Sequence, residues 1–356
     1  MKRPRPPLAA ALVLALALPA SANSSISYDF NNMTYWLSHE MAQGLAFNAG
    51  STFDPPKEIK GWYLQPDVSF GVGNMPLDKR DFPNLTVQAL KDAGGESMFP
   101  SSVLFPNLAM HLRFGLPWRG DAYIRFADAT TPPGYKISPT MTAQVQTNSI
   151  GAGIRQHFFG GDYPLLTLGA HYNHVQGRTH LKGKFNENIQ TLNLSSDLVG
   201  DIDWSINSFG LTAVTSYTWG RWTPYAGLGY NYATGSVRAR LDLEPNGFGA
   251  VPAIGEGSDR PEKSQGRELF GFSYDRPTWS AFLSGELKAL GQLQYRSYIV
   301  QVGAALPFDI GGRTIFHKRR PPVAPNPVLN EPKTKTRWHE GPKPDEKAAP
   351  DMIFLR

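Results

Sequence analysis

Tyr295-Arg296-Ser297-Tyr298-Ile299-Val300-Gln301-Val302-Gly303-Ala304-Ala305-Leu306-Pro307-Phe308 decides how the chain reads. The even positions give Tyr298, Val300, Val302, Ala304, Leu306 and Phe308. The odd positions give Ser297, Gln301, Gly303 and Ala305, with Ile299 as the exception. Successive side chains of a strand point to opposite faces, so one face is apolar and the other small or polar. A soluble sandwich hides the apolar face in a core. A membrane barrel shows it to lipid and keeps the polar face inside.

The pattern recurs. Segments near 60–73, 103–116, 122–126, 149–158, 166–173, 208–218, 226–232, 270–274 and 280–288 alternate in the same way, which with the last strand makes ten. Eight or twelve are the neighbouring counts, because the 270–274 segment rests on Phe270, Phe272 and Tyr274 alone. Connections alternate in length as well. Long ones are expected at 74–102, 130–143, 177–202 and 239–266. Between them lie short turns rich in Gly, Pro or Trp, such as Pro117-Trp118-Arg119-Gly120 and Trp219-Gly220-Arg221-Trp222. Short periplasmic turns and long outer loops are the habit of outer-membrane barrels. Trp62, Trp118, Tyr163, Trp219, Trp222, Trp279 and Phe308 fall near strand ends, where amphipathic rings favour the membrane–water boundary. The expected fold is all-β: a transmembrane antiparallel up-and-down barrel with a short N-terminal helix.

The flanks differ from the body. Residues 1–22 read as a secretory signal: Lys2, Arg3 and Arg5, then an apolar run from Leu8 to Leu18, then Ala20-Ser21-Ala22. In the segment 23–59, Met33, Leu37, Met41 and Leu45 recur every four residues and predict an amphipathic helix over 31–48. Asn31 or Asn32 would cap its start, and Gly50 would follow its end. A single stripe favours a helix packed on the periplasmic rim over a plug in the lumen. The barrel is expected over 60–308. Residues 309–356 form a basic tail with eight prolines, unable to bury enough surface to fold alone.

With the signal, the alternating segments and the Phe308 strand end, residues 60–308 resemble a Gram-negative outer-membrane β-barrel. The resemblance implies residence in the outer membrane, contact with its lipid, and insertion by the barrel-assembly machinery through the last strand. The tail beyond Phe308 departs from the usual pattern, in which such a Phe ends the chain. Its periplasmic end is a candidate tether to peptidoglycan or a periplasmic protein.

The formal charge of +5 is concentrated in the two flanks and leaves about −2 for the body, so a nucleic-acid partner is not expected. The absence of Cys excludes disulfides and thiolate metal sites. Inward positions carry Asp67, His111, Arg113, Arg125, Arg155, His157, His171, Glu286 and Lys288, all candidates to line a lumen. In a barrel this small they are expected to pack with one another, with a narrow path at most. No catalytic, metal or cofactor constellation stands out, and no enzyme is expected. The expected roles are a small-solute channel or transporter, or a surface-structural barrel. One alternative is a hydrophobic-compound transporter with residues 31–48 as a hatch. Another is a hydrolase built on an inward His, with Ser149 and Ser208 near His171 and His157 on neighbouring strands.

Overall fold

Ten antiparallel strands close on themselves in the computed structural model, which describes residues 8–51, 55–59, 61–92, 96, 99–137, 141–189, 192–246 and 252–309. They are β1 (Tyr63–Pro76), β2 (Ser102–Leu116), β3 (Gly120–Thr130), β4 (Met141–Phe159), β5 (Leu165–Ile189), β6 (Leu192–Ser216), β7 (Trp222–Asn246), β8 (Ser264–Asp275), β9 (Ser280–Leu290) and β10 (Tyr298–Ala305). Each pairs with the next, and β10 returns to β1 with Val302 opposite Phe70. Phe308 continues the closing edge opposite Leu64. Full closure leaves no strand edge to be satisfied in lipid. The outward positions carry the apolar residues, with Met110, Phe209, Leu211 and Leu228 more than half exposed.

Two expectations need correction. The segments expected as long loops after the fifth and seventh strands are mostly strand. β5 and β6 are 25 residues each and pair from Leu165↔Ser216 up to Ile189↔Leu192. β7 runs to Asn246, and a short strand, Ala253–Asp259, covers its upper edge. Residues 309–356 beyond Asp309, where the tail was expected, lie outside the described residues.

The helix also differs from expectation. Helix α1 (Leu8–Ala49) runs straight through Asn31 and Asn32, so neither caps it. Asn31 instead accepts a hydrogen bond from the Glu256 N–H, at 2.9 Å. Its buried part stands inside the barrel, not on the rim. Phe30, Met33, Trp36, Leu37, Met41, Leu45 and Phe47 are all buried, as are the polar Asp29, Thr34, Ser38, Glu40 and Gln43. Thr34 and Ser38 satisfy themselves by donating to the carbonyls of Phe30 and Thr34, at 2.6 and 2.7 Å. That lets polar positions beside the apolar stripe be buried, while Tyr28, Asn31 and Tyr35 stay exposed. Backbones approach closely to hold it: a Cβ on Gly255 would lie 2.4 Å from Phe30 O, and one on Gly44 would overlap Met75. No described helix is long and apolar enough to cross a membrane.

Candidate functional site

The interior has two tiers, and the same strands build both. On β5, β6 and β7 the apolar residues face outward up to Tyr172, Phe209 and Tyr232, which stand side by side in register. Above that row the phase reverses with no slip in pairing. Leu181, Leu198, Ile202, Trp204, Ile206, Val237 and Leu241 now face inward and are buried. Arg178, Asp203 and Arg238 take the outward positions in one cross-strand row, and His180, Asp201 and Arg240 take the next. The reversal marks where the strands leave lipid for water. From Trp222 to Tyr232, β7 has about the ten residues a tilted membrane strand needs.

The upper tier receives the apolar face of α1, which merges with the wall in one hydrophobic core. The outer connection after β1 closes over it. Asp29 accepts bonds from the Thr86 and Val87 amides at 2.8–2.9 Å, and Trp36 Nε1 donates to Asp78 O at 3.1 Å. Glu40 accepts from the Asp78 amide at 2.8 Å, and His39 Nδ1 lies 2.5 Å from Asp259 Oδ2.

In the lower tier all nine expected residues are buried. Asp67 holds His111 Nδ1 at 2.6 Å and Arg113 Nε at 3.1 Å. Arg155 donates to both oxygens of Asp121, at 2.9 and 3.1 Å. His157 bridges Asp121 and the Thr167 hydroxyl, at 2.8 and 2.9 Å. Glu286 pairs with Arg267 and accepts from Ser51 Oγ at 2.7 Å. Lys288 reaches Glu262 at 3.0 Å. Asp121 and Arg267 were missed from the sequence. Both lie on the inward parity of their strands, two residues before Tyr123 and four before Gly271, so extending the alternation by one or two steps finds them.

The basic groups also meet the end of the helix and the segment that follows it. Arg267 donates to Phe47 O (2.9 Å) and His171 to Gly50 O (3.2 Å). Arg125 donates to Ser51 O (2.6 Å), and both Arg155 (3.2 Å) and Arg113 (3.5 Å) reach Pro55 O. The last carbonyls of a helix have no partner within it and carry its negative end. Ile299, the exception in the closing strand, is inward and packs on Phe47. The chain leaves at the end with short turns, where Lys57 meets Asp275 at 2.6 Å and Glu58 meets Arg119 at 2.8 Å. Arg119 holds the Glu58 carboxyl below its ordinary range. Beside the helix, a residual cavity of about 40 Å³ touches Leu45, Asn48 and Arg125.

Neither Ser149 nor Ser208 makes a direct hydrogen bond to His157 or His171 among the described residues. The hydroxyl beside His157 is that of Thr167 and not of Ser149, and Ser208 accepts from Asn231 at 3.2 Å. The Thr167–His157–Asp121 chain has the order of a nucleophile, base and orienting acid. Arg155 takes both oxygens of its Asp121, and all three members are buried beneath the helix end. No group of metal-binding side chains gathers among the described residues.

No family model matches the chain, and no characterised protein sequence does. Solved structures do. The translocator domain of the autotransporter NalP from Neisseria meningitidis is 11% identical over 71% of this chain and 90% of its own, with a TM-score of 0.34. The outer membrane protease OmpT from Escherichia coli is 11% identical over 69% and 97%, with a TM-score of 0.33. A Pseudomonas aeruginosa FadL homologue is 8% identical over 76% and 97%, with a TM-score of 0.25. The chain is an outer-membrane β-barrel. Closure, the outward apolar band and the phase reversal at its upper edge carry that statement. The expectation that it is not an enzyme does not stand: a protease is among the barrels of this architecture, which is therefore no ground for excluding catalysis.

Proposed function

We propose that the protein is a small-solute channel of the outer membrane, closed by its own N-terminal helix. The observation that carries this reading is the charge balance of the lower tier. Arg113, Arg125, Arg155, Arg267 and Lys288 face inward against Asp67, Asp121, Glu262 and Glu286, a basic excess, and the four arginines also donate to the uncharged carbonyls of Phe47, Ser51 and Pro55. Water can replace a carbonyl. With the helix withdrawn, a hydrated and basic passage remains, which favours anions. Planar-bilayer recording tests this. The full chain should be silent or nearly so. A chain lacking residues 27–50 behind the secretory segment should conduct, with a reversal potential favouring chloride over potassium. A heat-modifiable, helix-less barrel that never conducts would sink the reading.

The apolar wall of the upper tier supports a second reading, a hydrophobic-compound transporter with α1 as its hatch. On that reading the helix-less barrel takes up an apolar fluorophore such as N-phenylnaphthylamine, and ionic conductance is incidental.

A further inference from the structure

Three turns at the periplasmic end each carry an arginine next to aromatic rings: Arg119, Arg221 and Arg276. Arg119 is satisfied by Glu58, with bonds of 3.1 and 2.8 Å. The other two differ. Arg221 Nη1 and Arg276 Nε both donate to one neutral atom, Tyr274 Oη, each at 3.3 Å. Among the described residues neither has a carboxylate partner. The nearby Asp275 is already engaged by Lys57, Thr223 and Ser273. The backbone holds the two turns together, since the Asp275 amide donates to Arg221 O and the Arg276 amide to Trp279 O, both at 2.8 Å. Two guanidinium groups are thus gathered at one phenol, and both are exposed.

Aromatic rings frame this pair. Trp222 lies 4.9 Å and Trp279 5.8 Å from the Tyr274 ring, and Arg276 sits 6.0 Å from the Trp279 centroid. Above them the lipid-facing wall continues through Phe272, 5.7 Å from Trp222, to Phe270. Like charges brought together at the level of lipid headgroups are stabilised by an anion. Arginine pairs are well suited to phosphate, which accepts several charged hydrogen bonds at once.

We infer that Arg221 and Arg276 bind the phosphate of a glycerophospholipid in the periplasmic leaflet, whose acyl chains lie along Trp222, Phe272 and Phe270. The continuity of the charged pair with the apolar wall selects a lipid over a soluble anion.

Native mass spectrometry of the full-length barrel, released from detergent with added phosphatidylglycerol, tests this. Diacylglycerol and inorganic phosphate serve as separate arms, and heat-modifiable migration verifies folding of each variant. The wild type should retain one phosphatidylglycerol with an apparent Kd about tenfold below that of R221Q/R276Q, a loss in keeping with charged hydrogen bonds. R119Q should match the wild type, and neither diacylglycerol nor inorganic phosphate should compete. Equal retention by the wild type and R221Q/R276Q would overturn the proposal. So would diacylglycerol binding as well as phosphatidylglycerol, or displacement by inorganic phosphate.

Discussion

Below the row Tyr172, Phe209 and Tyr232 the barrel is apolar outside and charged inside. Above it the same three strands are charged outside and apolar inside. The two tiers hold one helix by different forces. Above, Phe30, Met33, Trp36, Leu37, Met41 and Leu45 leave water, each contributing roughly 1.5–3 kcal/mol. Below, the bonds to the carbonyls of Phe47, Gly50, Ser51 and Pro55 are worth about 0.5–1.5 kcal/mol net apiece, more where the donor is charged. The upper tier therefore supplies most of the docking free energy, and the lower tier sets where the helix stops. A barrel that opens must loosen at its outer mouth first.

The largest expected effect comes from spoiling the upper tier. Ile202→Asp places a carboxylate against the helix, one residue from the native Asp203, which points to water on the same strand. An unpaired charge buried there costs about 4 kcal/mol or more. Amide exchange across 30–46 should accelerate by orders of magnitude while the heat-modifiable barrel survives. If exchange in the helix stays at the wild-type rate, the upper tier does not hold it.

The contrast between tiers also explains what the sequence disclosed. Strand number, closure and the inward set from Asp67 to Lys288 follow from one rule, apolar out and polar in, applied over the lipid band. The rule fails where water replaces lipid outside and a helix replaces water inside. Residues 198–206 still alternate, but with the opposite phase, so they resemble a loop to a search for lipid-facing strands. Helix placement was illegible for a related reason. Met33, Leu37, Met41 and Leu45 show one stripe, and the polar residues buried around it are recognised only once the wall that buries them is known. The partners of the charged groups depend on register, which joins Asp121 to Arg155 across the β3–β4 pair.

A change in the lower tier should cost less and should be reversible by a second change. Arg267→Met removes the guanidinium from a buried Glu286 that also takes the Ser51 hydroxyl, a loss of roughly 3 kcal/mol. R267M/E286L should recover most of that in urea unfolding of the folded barrel, because both halves of the ion pair are then gone. A double variant as unstable as R267M would mean that Arg267 acts through Phe47 instead, over whose ring it lies at 4.7 Å.

The smallest expected effect tests the junction of the two holds at the outer mouth. Asp78 accepts three bonds from Arg80, the shortest at 2.6 Å, and one from Arg296 at 2.9 Å, and its backbone clamps Trp36 and Glu40. Hydrogen bonding by the Arg80 side chain lowers its carboxyl pKa from 3.8 to about 2. A depressed carboxyl pKa stabilises the folded state fully above its unfolded value, and that contribution disappears as pH falls through the folded value. The window is thus pH 4 down to 2. Arg80 is mostly in water, so the contribution is screened to about 1 kcal/mol. Wild type should lose that much across the window and D78N should not, with amide protection at 77–82 falling only in the wild type. Identical acid profiles for the two would show that the Asp78 backbone contacts, and not its charge, fasten the loop to the helix.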